Sequence, residues 1–148
     1  MSNIAEVIQA YAEGAVKVAA KTYHVKLDFS EESLKTTEKI FNSLHREATR
    51  NSFIKLFIRG LTEKQISSAA LMLGVYIGEV IRRIHGGEWI EEEPAGSGEF
   101  ALKIGSARLR PIPKAYKRIV NGPGDDIWSF YQTITKELKT GNLSNADY

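Results

Sequence analysis

Cysteine is absent from the 148 residues. With it go disulfides, thiolate metal sites, iron–sulfur ligation and cysteine nucleophiles, and a chain without thiols suits a reducing compartment. Long hydrophobic runs are missing too. The most apolar stretch, Ile66 to Ile84, is interrupted by Ser67, Ser68, Glu79, Arg82 and Arg83, too polar for a membrane span. The start, Met1-Ser2-Asn3-Ile4-Ala5-Glu6, has no basic stretch leading into an apolar one, so no secretory leader is expected and a cytoplasmic protein is. Charge of one sign is also lacking. The net charge of +2 is too small to point to nucleic acid. Its distribution is mildly uneven: residues 1–100 carry 12 Lys and Arg against 14 Asp and Glu, and residues 101–148 carry 8 against 4.

What remains is ordinary globular composition, 43% hydrophobic and 26% charged, at a length that supports one core without staples. Ile4, Ile8, Tyr11 and Ala15 recur at helical spacing and predict an N-terminal helix over about residues 1–22, with Ser2 or Asn3 as its cap. Tyr23, Val25, Leu27 and Phe29 then alternate with His24, Lys26 and Asp28, the period of a half-buried strand. Ser30 is placed to cap a helix carrying Glu31 and Glu32 in its first turn, with Leu34, Thr37, Phe41, Leu44 and Ala48 along one side. From Arg50 to Gly60, Phe53, Leu56 and Phe57 fit either a helix or a short strand.

The clearest element is a helix from about Thr62 to His85. Thr62 and Gln65 have capping-box spacing, and Gly86-Gly87 provides the stop. Ala70, Gly74 and Gly78 recur every four residues and clear one stripe of bulk. A helical glycine costs about 1 kcal/mol relative to alanine, so the stripe predicts a close contact that offsets the loss. Downstream, Glu88 to Glu93 reads as a strand and Pro94-Ala95-Gly96-Ser97-Gly98 as a loop. Phe100, Leu102 and Ile104 face Ala107 and Leu109 across a Gly105-Ser106 turn. A short helix is expected to begin at Pro113 and end at Asn121-Gly122-Pro123. Asp125 or Asp126 caps a last helix carrying Ile127, Phe130, Ile134 and Leu138, and residues 140–148 read as a frayed tail. Residues 1–148 therefore form one α+β domain: an antiparallel sheet of about three to four strands packed against a central glycine-bearing helix and several further helices.

Few residues combine into chemistry. Glu79, His85 and Glu88 fall within ten positions, but Glu79 and His85 are six apart, roughly 240° around a helix, which argues against shared metal ligation. Gly86-Gly87 follows a helix and precedes a strand, the reverse of a phosphate-cradling loop. Gly96-Ser97-Gly98 lacks the strand-then-helix frame of a nucleophile elbow. His24 and His45 read as surface histidines, and no cofactor and no metal is called for. The charged hairpin is the better candidate for a binding surface, with Glu88, Glu91, Glu92 and Glu93 beside Lys103, Arg108 and Arg110. Lys114, Lys117 and Arg118 extend the basic set, but the adjacent acids and the lack of interleaved aromatics argue against nucleic acid.

Several segments together resemble a group of small bacterial domains of unknown function. They are Leu27-Asp28-Phe29-Ser30, the G-x-Y-x-G-E run from Gly74 to Glu79, the G-G-x-W turn from Gly86 to Trp89, and the proline-led stretch from Pro111 to Val120. The resemblance spans about Val25 to Leu138 and brings no catalytic role. It implies an immunity-like protein whose partner is another protein, a toxin or a secretion component. Two other readings stand beside it: a small enzyme or ligand-binding domain using Glu79, His85 and Glu88, and a module that dimerises through the Ala70-Gly74-Gly78 stripe.

Overall fold

The computed structural model describes residues 3–50 and 60–141. Helix α1 (Ile4–Tyr23) starts where the Asn3 side chain accepts the Ala5 amide, and it buries Ile8, Ala12, Ala15 and Ala19 along one stripe. His24, in the left-handed region at φ 55°, ends it. The strand expected over Tyr23–Phe29 does not form. Tyr23 belongs to α1, and residues 24–30 run irregularly with no ladder partner. The alternation was real all the same: Leu27 is buried while His24, Lys26 and Asp28 are exposed. An extended chain lying on a core alternates its side chains whether or not a neighbouring strand exists, so the period alone did not report pairing.

Helix α2 (Glu31–Ala48) is capped by Ser30 and buries Leu34, Thr37, Ile40, Phe41 and Leu44. The helix-or-strand question over Phe53, Leu56 and Phe57 lies outside the described residues, as do residues 142–148 of the expected tail. Helix α3 (Glu63–His85) opens on the full capping box: the Gln65 amide reaches Thr62 Oγ1 at 3.2 Å, and Gln65 Oε1 accepts the Thr62 amide at 2.9 Å. From Leu73 to Ile81 every residue is buried, the signature of a helix enclosed on all sides. Its stop at Gly86 takes φ 85° and ψ −174°, a positive-φ conformation that favours glycine.

Strands β1 (Glu88–Glu91), β2 (Phe100–Ile104) and β3 (Ala107–Leu109) form an antiparallel sheet in the order β1-β2-β3. Its register stacks Trp89, Leu102 and Leu109 in one buried row and Glu88, Lys103 and Arg108 in one exposed row. Helix α4 (Pro111–Asn121) begins two residues earlier than expected, because Pro111 takes the first helical position and β3 ends at Leu109. A 3₁₀ turn (Pro123–Asp125) leads to α5 (Ile127–Thr140), capped by Asp126, which accepts the Trp128 and Ser129 amides.

Helix α3 is the hub, with α4 and α1 packed most extensively against it. The small-residue stripe makes that packing close: a Cβ on Gly74 would overlap the Ile112 backbone of α4, and one on Gly78 would overlap the Trp89 ring. The stripe is thus consumed inside the fold, and the dimer face it suggested is occupied by the chain's own α4 and β1.

Candidate functional site

The segments singled out by the sequence converge on one corner of the molecule. Glu79 is 4% exposed and sits one turn and a half before the end of α3. Its Oε1 accepts Arg82 Nε at 2.6 Å and Trp89 Nε1 at 2.9 Å; its Oε2 accepts Arg82 Nη2 at 3.1 Å and Arg83 Nε at 3.3 Å. The Trp89 ring can reach Glu79 because Gly78 leaves room for it. On the other side of Arg83, its guanidinium lies 3.6 Å from the Phe29 ring centroid. Phe29 itself is held at φ 62°, a region uncommon for non-glycine residues, by its amide donating to Tyr76 Oη at 2.9 Å. Ser33 Oγ meets the same phenol at 2.6 Å, and the Phe29 and Tyr76 rings stand 4.9 Å apart.

The electrostatics follow from burial and donors. Burial alone would raise the Glu79 carboxyl, but the hydrogen bonds from Arg82 and Trp89 outweigh it and hold the group below its ordinary value of 4.5. The Tyr76 phenol moves the other way, pushed up mainly by burial. For Glu79 the linkage has a definite sign. A carboxyl whose folded value lies below its unfolded one stabilises the fold above pH 4.5 and loses that contribution as pH falls through the lowered value. Replacing Glu79 by Gln should therefore cost about 2 kcal/mol at pH 7, where two guanidinium groups lose their counter-charge. The gap to the unsubstituted protein should narrow in acid. Urea midpoints at pH 7 and at about pH 3 check this, and an equal gap at both would show that the buried carboxyl is not ionised in the fold.

The hairpin residues expected to bind a partner divide into two groups. Glu92 accepts Arg110 Nε at 2.7 Å and Arg110 Nη2 at 2.9 Å, with Arg108 Nη1 at 3.9 Å. Glu91 accepts the Gly98 amide at 3.0 Å and closes the loop between β1 and β2. Glu88, Glu93, Lys103 and Arg108 are exposed, with Glu88 opposite Lys103 and Lys103 opposite Arg108 in the register. Ala101 is fully buried yet apart from the main core cluster.

The alternative set does not assemble. Glu79 faces Arg82, Arg83 and Trp89, whereas His85 Nε2 lies 3.0 Å from Tyr131 Oη on α5, and only Glu88 lines the same cleft as Glu79. Burial, with the Glu31 carboxylate second, pushes that Tyr131 phenol up to about 12. Among the described residues no group of three His, Cys, Asp or Glu side chains is placed to hold a metal ion. None of their helices is long and apolar enough to cross a membrane. His45 is not a plain surface histidine: its Nδ1 meets the Ile119 carbonyl at 2.7 Å and joins α2 to α4. Compared with protein-family models, curated proteins and solved structures, the chain matches none.

Proposed function

We propose that the chain is a non-catalytic protein-binding domain that docks through the outer side of its sheet, acting as an immunity-type or secretion-associated bacterial protein. The carrying observation is the exposed row Glu88–Lys103–Arg108, presented beside a bidentate Glu92–Arg110 pair that fixes the end of the hairpin. A surface held rigid before binding loses less entropy when a partner arrives, and its charges set on-rate and partner choice. The enzyme reading is less supported, because Glu79 and His85 point to different partners.

The double variant Lys103→Glu/Arg108→Glu tests the assignment, since both side chains are exposed and outside the core. The immobilised protein should retain one host protein in stoichiometric amount, and the variant should lose it while keeping its melting temperature. Equal retention by both would move the binding surface away from the sheet.

A further inference from the structure

We infer that the cleft between the first turn of α1 and the end of α3 binds a small organic anion, with its carboxylate or phosphate group against Arg82 and Arg83. The cleft encloses about 520 Å³, the size of a metabolite site. Its wall includes Arg82, Arg83, Glu88, Trp89, Ile4 and Ile8.

On the α3 side of this wall the hydrogen-bonding capacity left over is cationic. Glu79 takes four hydrogen bonds from Arg82, Arg83 and Trp89, so its charge is engaged within the wall. Arg82 uses Nε and Nη2 there and Arg83 uses only Nε. Among the described residues Nη1 of Arg82 and both terminal nitrogens of Arg83 have no acceptor, and these side chains remain 39% and 42% exposed. The wall's formal charges balance, Arg82 and Arg83 against Glu79 and Glu88, but Glu79 is engaged by the arginines, so the free donors on the α3 side are guanidinium N–H groups.

Those donors are also held in place. Glu79 grips both guanidinium groups, and the Phe29 ring backs Arg83 at 3.6 Å. A planar donor fork fixed in advance suits bidentate capture of a carboxylate or phosphate. The first turn of α1 lines the opposite side of the same cleft, with its Ala5 amide already capped by Asn3. Ile4, Ile8 and Trp89 offer apolar contact for the body of the ligand. The exposed Glu88 also lines the cleft, so the anionic group must sit on the α3 side, away from that carboxylate.

The cleft shares Glu88 with the exposed row of the sheet, but its arginines lie on α3, and the test separates the two sites. Inorganic phosphate, phenyl phosphate and benzoate are titrated into the ¹⁵N-labelled protein, with chloride at matched ionic strength as reference. Trp89 Nε1–H borders the cleft and Trp128 does not, so the two indole signals give a site probe and an internal control. Saturable movement of the Trp89 signal alone is expected. Response to both phosphates points to a phosphorylated ligand, response to benzoate to a carboxylate, and phenyl phosphate binding more tightly than inorganic phosphate to use of the apolar wall. Affinity should fall at least tenfold in Arg82→Gln/Arg83→Gln. It should fall equally in Ala5→Trp, which fills the cleft and leaves the Glu79 pairs intact. Lys103→Glu/Arg108→Glu should bind like the unsubstituted protein. No saturable shift beyond chloride, or undiminished binding in Ala5→Trp, would overturn the assignment.

Discussion

Gly74→Ala should destabilise the domain by about 3 kcal/mol, at the upper end of what overpacking a core costs, although alanine is the better helix former by about 1 kcal/mol. The added methyl would lie 2.8 Å from the Ile112 amide nitrogen and closer still to Ile112 Cα. Both are backbone atoms at the start of α4, so no rotamer change relieves the overlap. The helix itself must move, and α4 is tied down by Lys114 to Asp125 at 3.1 Å and by Arg118 to Glu38 at 2.8 Å. Thermal unfolding should show a drop of about 6–12 °C for a domain of this size. Gly14→Ala supplies the contrast. A Cβ there would meet only Met72 Sδ at an ordinary 3.4 Å, so the helix-propensity gain should survive and raise stability by about 0.5–1 kcal/mol. If Gly74→Ala were also stabilising, α3 and α4 would not be in the contact described.

The stripe that makes this prediction possible was visible in the sequence. Ala70, Gly74 and Gly78 announced a close approach, and Thr62 with Gln65 announced the start of the helix, because caps and small-residue stripes are local signals. The Gly105-Ser106 hairpin was legible for the same reason, and so was an aspartate cap on the last helix, though the choice between Asp125 and Asp126 was not. Residues 24–30 were not. Their alternation matched a strand, but a strand needs a partner, and no local pattern says whether one exists. The corner around Glu79 was half legible. Arg82 and Arg83 stand three and four residues after Glu79, the spacing of helical ion pairs, whereas the stacking of Phe29 on Arg83 joins positions 54 residues apart and leaves no trace in spacing. His85 looked like a companion of Glu79 only because the two are near in sequence; the helix turns it toward Tyr131.

Arg118 shows how a readable signal can be masked by residue type. Beside Lys114 and Lys117 it counts as one of a basic surface set, but Pro111, Ala115, Arg118 and Ile119 recur on one helical face and all are buried. The guanidinium donates to Glu38 Oε2 through Nε at 2.9 Å and Nη2 at 2.8 Å, while Glu38 Oε1 accepts the Ile127 amide at 3.0 Å. One ion pair thus fastens α2, α4 and the first residue of α5. Arg118→Met keeps most of the volume but strands the half-buried Glu38, so it should cost about 3 kcal/mol at pH 7. Burial already raises the Glu38 carboxyl above its ordinary 4.5 despite the pull of Arg118, and removing the arginine raises it further. A raised carboxyl favours the fold below its unfolded value and loses that contribution as pH rises through the folded one. The deficit of Arg118→Met should therefore be largest at neutral pH and shrink in acid as Glu38 takes up a proton. Adding Glu38→Gln removes the stranded charge and keeps an acceptor for the Ile127 amide. The double variant should recover about half of the loss at pH 7, with little further change in acid. Urea denaturation of the cycle at both pH values reads this directly. A deficit independent of pH and unrelieved by Glu38→Gln would mean that Arg118 holds the three helices by packing rather than by its charge.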